Sequence, residues 1–166
     1  DISPVSCFGL NDASIDVTQI GEGPYEYFWT GPNGFSSSNQ DIEFLYSGDY
    51  FLQVTNTENF CVFNDIISVV EPEVLTIFGS TSDYSGFGVT CFGATDGSID
   101  MTVIGGTEPY NIVWDDGFIT EDVDNLGVGT YAVEVIDSNG CSVNTTFIIT
   151  EPPNSLSISE LHSDYG

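Results

Sequence analysis

An all-β fold of small antiparallel sandwiches is predicted by three observations: short alternating segments, turn signals between them, and one unit written twice. Alternation is clearest over 130–136, where Tyr131, Val133 and Val135 share one face and Ala132 and Glu134 the other. Gly-Gly, Pro-Asn-Gly, Asp-Gly and Ser-Asn-Gly steps separate such segments, and none carries a helical stripe. The duplication is explicit: CFGLNDASIDVTQIGEGPYEYFW begins at Cys7 and CFGATDGSIDMTVIGGTEPYNIVW begins at Cys91, 84 residues further on. A fixed internal period of this size marks a repeat architecture.

Taken in order, strands rich in β-branched and aromatic residues are predicted over 14–20, 25–29, 49–55 and 63–70 in the first copy. Their counterparts in the second copy are 98–104, 110–114, 130–136 and 143–150. Pro24, Tyr25 and Trp29 recur as Pro109, Tyr110 and Trp114, and each copy closes in Glu-Pro, at Glu71-Pro72 and Glu151-Pro152. VLTIFGSTSDY after the first Glu-Pro matches SLSISELHSDY after the second. The expected organisation is therefore a first sandwich repeat over 1–73 lacking its opening strand, a second over 74–153, and the opening strand of a third over 154–166. Leu156, Ser157 and Ile158 would form that inter-repeat strand, completing a neighbouring unit by continuity or by strand addition to an open edge.

Charge excludes whole classes of function. The 166 residues contain no lysine or arginine against 26 aspartates and glutamates, a net charge of -26, with a single His162. Nucleic-acid binding needs basic side chains on phosphates. Schiff-base, phosphate-loop and arginine-clamp enzymes need them in the active site. Yet 40% of residues are hydrophobic and 13% aromatic, too many for an acidic disordered tail. No stretch of 18 uninterrupted apolar residues offers a membrane span, and the opening DISPVSCFGL has no signal-like region, so an export signal is expected outside it. Four cysteines without a CxxC pair favour disulfides and an oxidising, extracellular setting.

The string C-F-G-x-x-D-G-S-I, then G-G-x-x-P-Y-x-x-x-W, then L-x-x-G-x-Y-x-x-x-V-x-D-x-x-G-C and a closing E-P resembles the SprB-type repeat. The second copy fits almost position by position. The first departs at Ala13, at Glu22 and across Thr57-Glu58-Asn59-Phe60. The resemblance implies immunoglobulin-like modules from long, repetitive cell-surface proteins of Bacteroidetes, gliding-motility adhesins among them, exported beyond the outer membrane and without catalytic residues.

Each copy holds one cysteine before its first core strand and one at the start of its last. Intradomain disulfides Cys7–Cys61 and Cys91–Cys141 are therefore expected, each closing about 50 residues and worth roughly 4 kcal/mol on chain-entropy grounds. Trp29, Trp114, Tyr50 and Tyr131 read as core and corner residues. The Pro-Tyr…Trp and Gly-x-Tyr aromatics have a carbohydrate platform as their alternative reading, while Phe8, Phe28, Phe44, Phe60, Phe87 and Phe92 form an exposed surplus, some of it suited to covering module junctions.

The acidic residues cluster at Asp115-Asp116, at Glu121-Asp122-Asp124, at Asp96 with Asp100, and around Glu71, Glu73, Asp83 and Glu151. Calcium, an oxygen-seeking cation, is the candidate ligand of such clusters, without being required; solvated charge with diffuse counter-ions is the alternative. No nucleophile constellation surrounds His162, and acids duplicated in every repeat fit a scaffold better than the paired carboxylates of a glycosidase.

The function expected is a non-catalytic structural segment of an extracellular adhesin or filament, partnered by neighbouring copies of the same repeat and not inserted in the membrane. A glycan- or calcium-dependent binding module is the alternative, to be told apart by an aromatic patch on one repeat only. Lack of Lys and Arg removes every trypsin site and every isopeptide lysine, leaving disulfides as the covalent staple.

Overall fold

The computed structural model describes residues 1–19 and 21–153. It is all-β, in antiparallel sheets, and no α-helix occurs among the described residues. The chain divides into two compact units. The first comprises Asp1–Leu75 and also takes in Gly105–Glu108 and Asp137–Cys141, two turns of the second sequence repeat. The second comprises the described remainder from Thr76 onward.

In the first unit, β1 (Ile2–Ser3), β2 (Ala13–Ile15) and β5 (Ile42–Leu45) form one sheet in the order β1-β2-β5. The other sheet runs β4-β3-β6-β7, from β3 (Tyr25–Thr30), β4 (Ser36–Ser37), β6 (Gly48–Asn56) and β7 (Val62–Val69). Alternation holds along β6, where Tyr50 and Leu52 are buried and Phe51 and Gln53 face solvent. Between the sheets lie Val5, Ala13, Ile15, Trp29, Ile42, Leu45, Tyr50, Leu52 and Val69.

The second unit repeats this plan. Its sheets are β11-β9-β8 and β10-β12-β13, from β8 (Thr76–Thr81), β9 (Gly97–Ile104), β10 (Asn111–Trp114), β11 (Val123–Leu126), β12 (Gly129–Ile136) and β13 (Ser142–Ile149). Val89, Ile99, Met101, Trp114, Val123, Leu126, Val133, Val135 and Ile149 are buried there. Each tryptophan keeps its indole N–H satisfied inside the core, Trp29 Nε1 donating to Asn39 O at 3.0 Å and Trp114 Nε1 to Thr120 O at 2.9 Å. Each corner tyrosine bonds the carbonyl four residues back, Tyr50 Oη to Tyr46 O and Tyr131 Oη to Gly127 O, both at 3.0 Å. Tyr50 is fully buried and Tyr131 half-buried. A buried tryptophan, on inner strand β3 in the first unit and on edge strand β10 in the second, and a hydrogen-bonded corner tyrosine between two antiparallel sheets define an immunoglobulin-like sandwich.

Three expectations change. β2 stops at Ile15, well short of residue 20. β5 and β11 escaped prediction because each contains a bulge: the ladder slips between Ala13 and Ser14 and between Asp124 and Leu126. The extra residues, Phe44 and Asn125, adopt φ of 60° and 61°, so buried positions fall three apart and the two-residue alternation disappears. Finally, the opening-strand position read as empty in the first repeat holds β1: Ile2 pairs with Ile15 as Thr81 pairs with Ile99, giving two residues against six. The proposed third-repeat strand, Leu156, Ser157 and Ile158, lies outside the described residues, as does His162.

Candidate functional site: the cysteine turns

The two cysteines of each repeat sit on two different turns, each fixed by its own carboxylate or amide. Ahead of β2, the Cys7 turn closes with Leu10 N donating to Cys7 O at 3.1 Å. Asp12 clamps Ser6, accepting from Ser6 N at 3.0 Å and from its hydroxyl, while Glu71 Oε2 accepts from Gly9 N at 2.7 Å. The second repeat rebuilds this turn bond for bond. Ala94 N donates to Cys91 O at 3.0 Å, Asp96 accepts from Thr90 N at 3.1 Å and Thr90 Oγ1 at 2.6 Å, and Glu151 Oε2 accepts from Gly93 N at 2.8 Å. The hydroxyl bonds from Ser6 and Thr90 hold the Asp12 and Asp96 carboxyls below the usual carboxylate range.

The other turn joins the last two strands. Buried Asp137 organises it, with Oδ1 accepting from Asn139 N and Cys141 N, both at 2.9 Å, and Oδ2 from Thr107 N at 2.9 Å. Asp137 N donates to Cys141 O and Ser138 N to Thr107 O, again both at 2.9 Å. In the first repeat Asn56 replaces the aspartate: Asn56 Oδ1 accepts from Glu58 N and Asn59 N, Asn56 N donates to Cys61 O, and Thr57 N donates to Pro24 O.

The pairing Cys7–Cys61 and Cys91–Cys141 is not formed. Cys7 is bonded to Cys141, with Cα atoms 5.7 Å apart, while Cys61 and Cys91 are free and exposed. Geometry within one sandwich explains the correction. The Cys7 turn lies at the exit of β7, since Val5 N bonds Val70 O and Gly9 N bonds Glu71, whereas Cys61 precedes β7. An eight-residue strand lies between these two places, rising about 26 Å. Disulfides need Cα atoms within roughly 7 Å. The same holds in the second repeat, where Cys91 lies beside Glu151 and Cys141 precedes β13. Equivalent position in sequence therefore placed the two cysteines at opposite ends of one fold.

Asn139 reinforces the bond that does form. Its Nδ2 donates to Ser6 O at 2.9 Å and to Thr107 Oγ1 at 3.2 Å. The corresponding Asn59, beside a free cysteine, instead turns its Oδ1 back to accept from Cys61 N at 3.0 Å. Ser6, Asp12, Asn56, Asp137 and Asn139 were not singled out from sequence. The Ser/Thr-x5-Asp spacing shared by Ser6-Asp12 and Thr90-Asp96 is the signal that would have found the clamp.

The candidate metal ligands do not converge. Glu71, Glu151 and Asp96 hold the cysteine turns, Asp83 Oδ1 accepts from Gly86 N at 2.6 Å, and Glu73, Asp100 and the adjacent pair Asp115 and Asp116 are exposed. Among the described residues no three His, Cys, Asp or Glu side chains gather as a metal-binding group. Of the surplus aromatics, Phe8, Phe28, Phe44, Phe60 and Phe92 are exposed and Phe87 is half-buried.

Fold and turns together define a pair of immunoglobulin-like repeats that share a cystine. The family described as SprB repeat matches at two places, residues 1–34 and 89–117, consistent with two copies of that repeat. Among solved structures, three N-terminal domains of the bacteriophage RB49 highly immunogenic outer capsid protein (Hoc) align at 18% identity with a TM-score of 0.51. That alignment covers 88% of this chain but 56% of the phage chain, so this chain spans little more than half of it. An amphioxus IgVJ-C2 molecule aligns at 13% identity, covering 82% of this chain and 94% of the other, with a TM-score of 0.37. No curated protein matches the chain.

Proposed function

We propose that the chain is a non-catalytic structural segment of a long extracellular adhesin or surface filament. The observation that carries this reading is the Cys7–Cys141 bond, which ties a turn of one SprB-type repeat to a turn of the other. A cross-link of that kind serves an array that must bear load outside the cell, where disulfides persist. The charge of -26 without a single basic side chain supports it too, since mutual repulsion keeps acidic modules soluble and extended. The association of SprB repeats with cell-surface proteins supports the same location. Antibodies against the chain should label intact producing cells; labelling only after permeabilisation would overturn the surface assignment.

One observation favours a second role, glycan binding by the first repeat. Phe28, Phe51 and Ile66, exposed by 55%, 51% and 57%, line the outer face of the β4-β3-β6-β7 sheet with Gln53 and Asn64. Gln53 Nε2 bonds Asn64 Oδ1 at 3.2 Å, leaving amide donors and acceptors beside the rings. The second repeat has Val113, Ala132 and Thr146 at these places, so the patch belongs to one copy. Glycan-array binding lost on Phe28→Ala with Phe51→Ala would establish this role; unaltered binding, or none to begin with, would remove it.

A further inference from the structure

We propose that Cys61 and Cys91 are a complementary pair of docking cysteines, through which a second copy of this chain is joined by a Cys91–Cys61 disulfide. The proposal deepens the array reading by naming the partner and its contact, and its test does not depend on where the protein resides.

The template is the bond already present. Cys91 stands on the same turn as Cys7, closed by the same carbonyl bond, clamped by the same hydroxyl–aspartate pair and pinned by the same glutamate. Cys61 ends the corresponding turn, longer by one residue. Asn56 N donates to Cys61 O as Asp137 N does to Cys141 O, and Thr57 N to Pro24 O as Ser138 N to Thr107 O, while Cys61 N bonds Asn59 Oδ1 where Cys141 N bonds Asp137 Oδ1. Cys7 and Cys141 are half-buried by their union, whereas Cys61 and Cys91 are exposed. Each free turn therefore presents one half of a contact whose other half is visible elsewhere in the same chain.

The asparagines two residues before the cysteines differ in what they touch. Where the contact is made, Asn139 reaches Ser6 O; where it is not, Asn59 folds onto its own Cys61 N. In the joined pair, Asn59 would release that bond and donate to Thr90 O of the second copy, the counterpart of Ser6 O. Pairing is also directional. Cys91 with Cys91, or Cys61 with Cys61, would bring like turns together, a contact for which the molecule offers no example.

The chemistry needs a disulfide oxidant. A Cys91 thiolate attacks oxidised glutathione, forming a mixed disulfide and releasing one glutathione thiolate. The second copy's Cys61 thiolate then attacks the Cys91 sulfur and releases the other. Two cysteine thiols are oxidised and one glutathione disulfide is reduced to two thiols.

The test is oxidation of the 166-residue chain by oxidised glutathione at about 0.5 M sodium chloride, which screens the repulsion between acidic copies. Non-reducing electrophoresis should show a ladder, and Glu-C peptide mapping should find Cys61–Cys91 links with Cys7–Cys141 retained. Cys61→Ser or Cys91→Ser alone should stay monomeric. An equimolar mixture of the two should give a single heterodimer, at least tenfold above either homodimer. Asn59→Ala should slow its formation several-fold, and 8 M urea should abolish the preference. Monomers throughout, or homodimers as abundant as heterodimers, would overturn the proposal while leaving the surface-filament reading to its own test.

Discussion

Phe60 in the first repeat and Gly140 in the second each precede the cysteine of the last turn, four residues long in one and three in the other, both with positive φ, at 57° and 85°. Phe44 and Asn125 occupy the same step of the bulge, at 60° and 61°. The second repeat places residues that tolerate left-handed backbone, while the first forces exposed phenylalanines into it. Their cores differ in a related way. Ala13 and Val69 of the first repeat correspond to Gly97 and Ile149 of the second, one methyl group having moved from one partner to the other. Two sequences that agree on tryptophan, corner tyrosine and carboxylate clamps thus differ where volume can be exchanged or strain carried at the surface. The difference teaches which features the fold demands and which it only accommodates.

The largest expected effect breaks the symmetry of the four cysteines. Cys7→Ser should destabilise strongly, since the bond closes a separation of 134 residues, worth up to about 5 kcal/mol on chain-entropy grounds. Cys61→Ser should leave the melting midpoint of the monomer unchanged. Pulling on the chain ends sharpens the contrast. With the bond intact, the 134 residues it bridges are hidden from force. Reduction should release about 470 Å of extra contour length at roughly 3.5 Å per residue. Equal midpoints for the two serine variants would remove the distinction between bonded and free cysteines.

The exchanged methyl group comes next. A Cβ added at Gly97 would meet Leu126 O at 2.9 Å and Ile149 Cγ2 at 3.1 Å. Gly97→Ala should therefore cost about 1–3 kcal/mol by overpacking, and Ile149→Val about 0.5–1.5 kcal/mol by loss of a methylene. Ile149→Val removes Cδ1 and not the Cγ2 that the added Cβ meets, but the shorter side chain can turn into the space Cδ1 leaves. The combined change, which recreates the Ala-Val arrangement of the first repeat, should therefore cost less than the sum by at least about 0.5 kcal/mol. Urea melts of the four proteins complete the cycle. Strict additivity would mean that the backbone carbonyls of Leu126 and Gly88, not Ile149, set the limit at this position.

Smaller still is the relief of strain in the first repeat. Phe60→Gly places a glycine before the cysteine as in the second repeat and, with the ring 78% exposed, loses little packing. A gain of about 0.5–1 kcal/mol is expected, the left-handed penalty being offset in part by the entropy of glycine. Gly140→Phe should reverse the sign. A loss on Phe60→Gly would show that the exposed ring has a contact worth more than its backbone strain.

Much of this was legible in sequence, and particular residues show where legibility ended. Trp29, Trp114 and Tyr50 could be assigned to the core because a buried strand leaves a two-residue period and a sandwich needs large aromatics between its sheets. β5 and β11 could not, since Phe44 and Asn125 interrupt that period with a bulge. The disulfide pairing failed for a different reason. Repetition identifies equivalent cysteines, but only the pairing of β7 and β13 with their neighbours reveals that the two in one repeat lie a full strand apart. The clamps were hidden because Asp12 and Asp96 bond hydroxyls six residues earlier, a distance that neither helical nor strand periodicity highlights.

Those clamps allow a last comparison, between a carboxylate beside a bonded cysteine and its twin beside a free one. Hydrogen bonds from Ser6 and Thr90 depress Asp12 and Asp96 in the folded state below the value of 3.8 expected when unfolded. A depressed carboxyl contributes stability that is present above its unfolded pKa and lost as pH falls through the folded one. Wild-type melting alone cannot isolate this, because acid also quenches the repulsion of 26 carboxylates over the same range. Subtraction can. The difference in midpoint between wild type and Asp12→Asn, and between wild type and Asp96→Asn, should be constant above about pH 5 and shrink below pH 3.8. Under reducing conditions the two difference curves should coincide, since the turns are matched bond for bond. Under oxidising conditions only Asp12→Asn should also make the Cys7–Cys141 bond easier to reduce, because Ser6 O receives Asn139 and Ser6 itself is held by Asp12. A difference that stays flat down to pH 2 would show that the shape of the side chain, and not its charge, secures the turn.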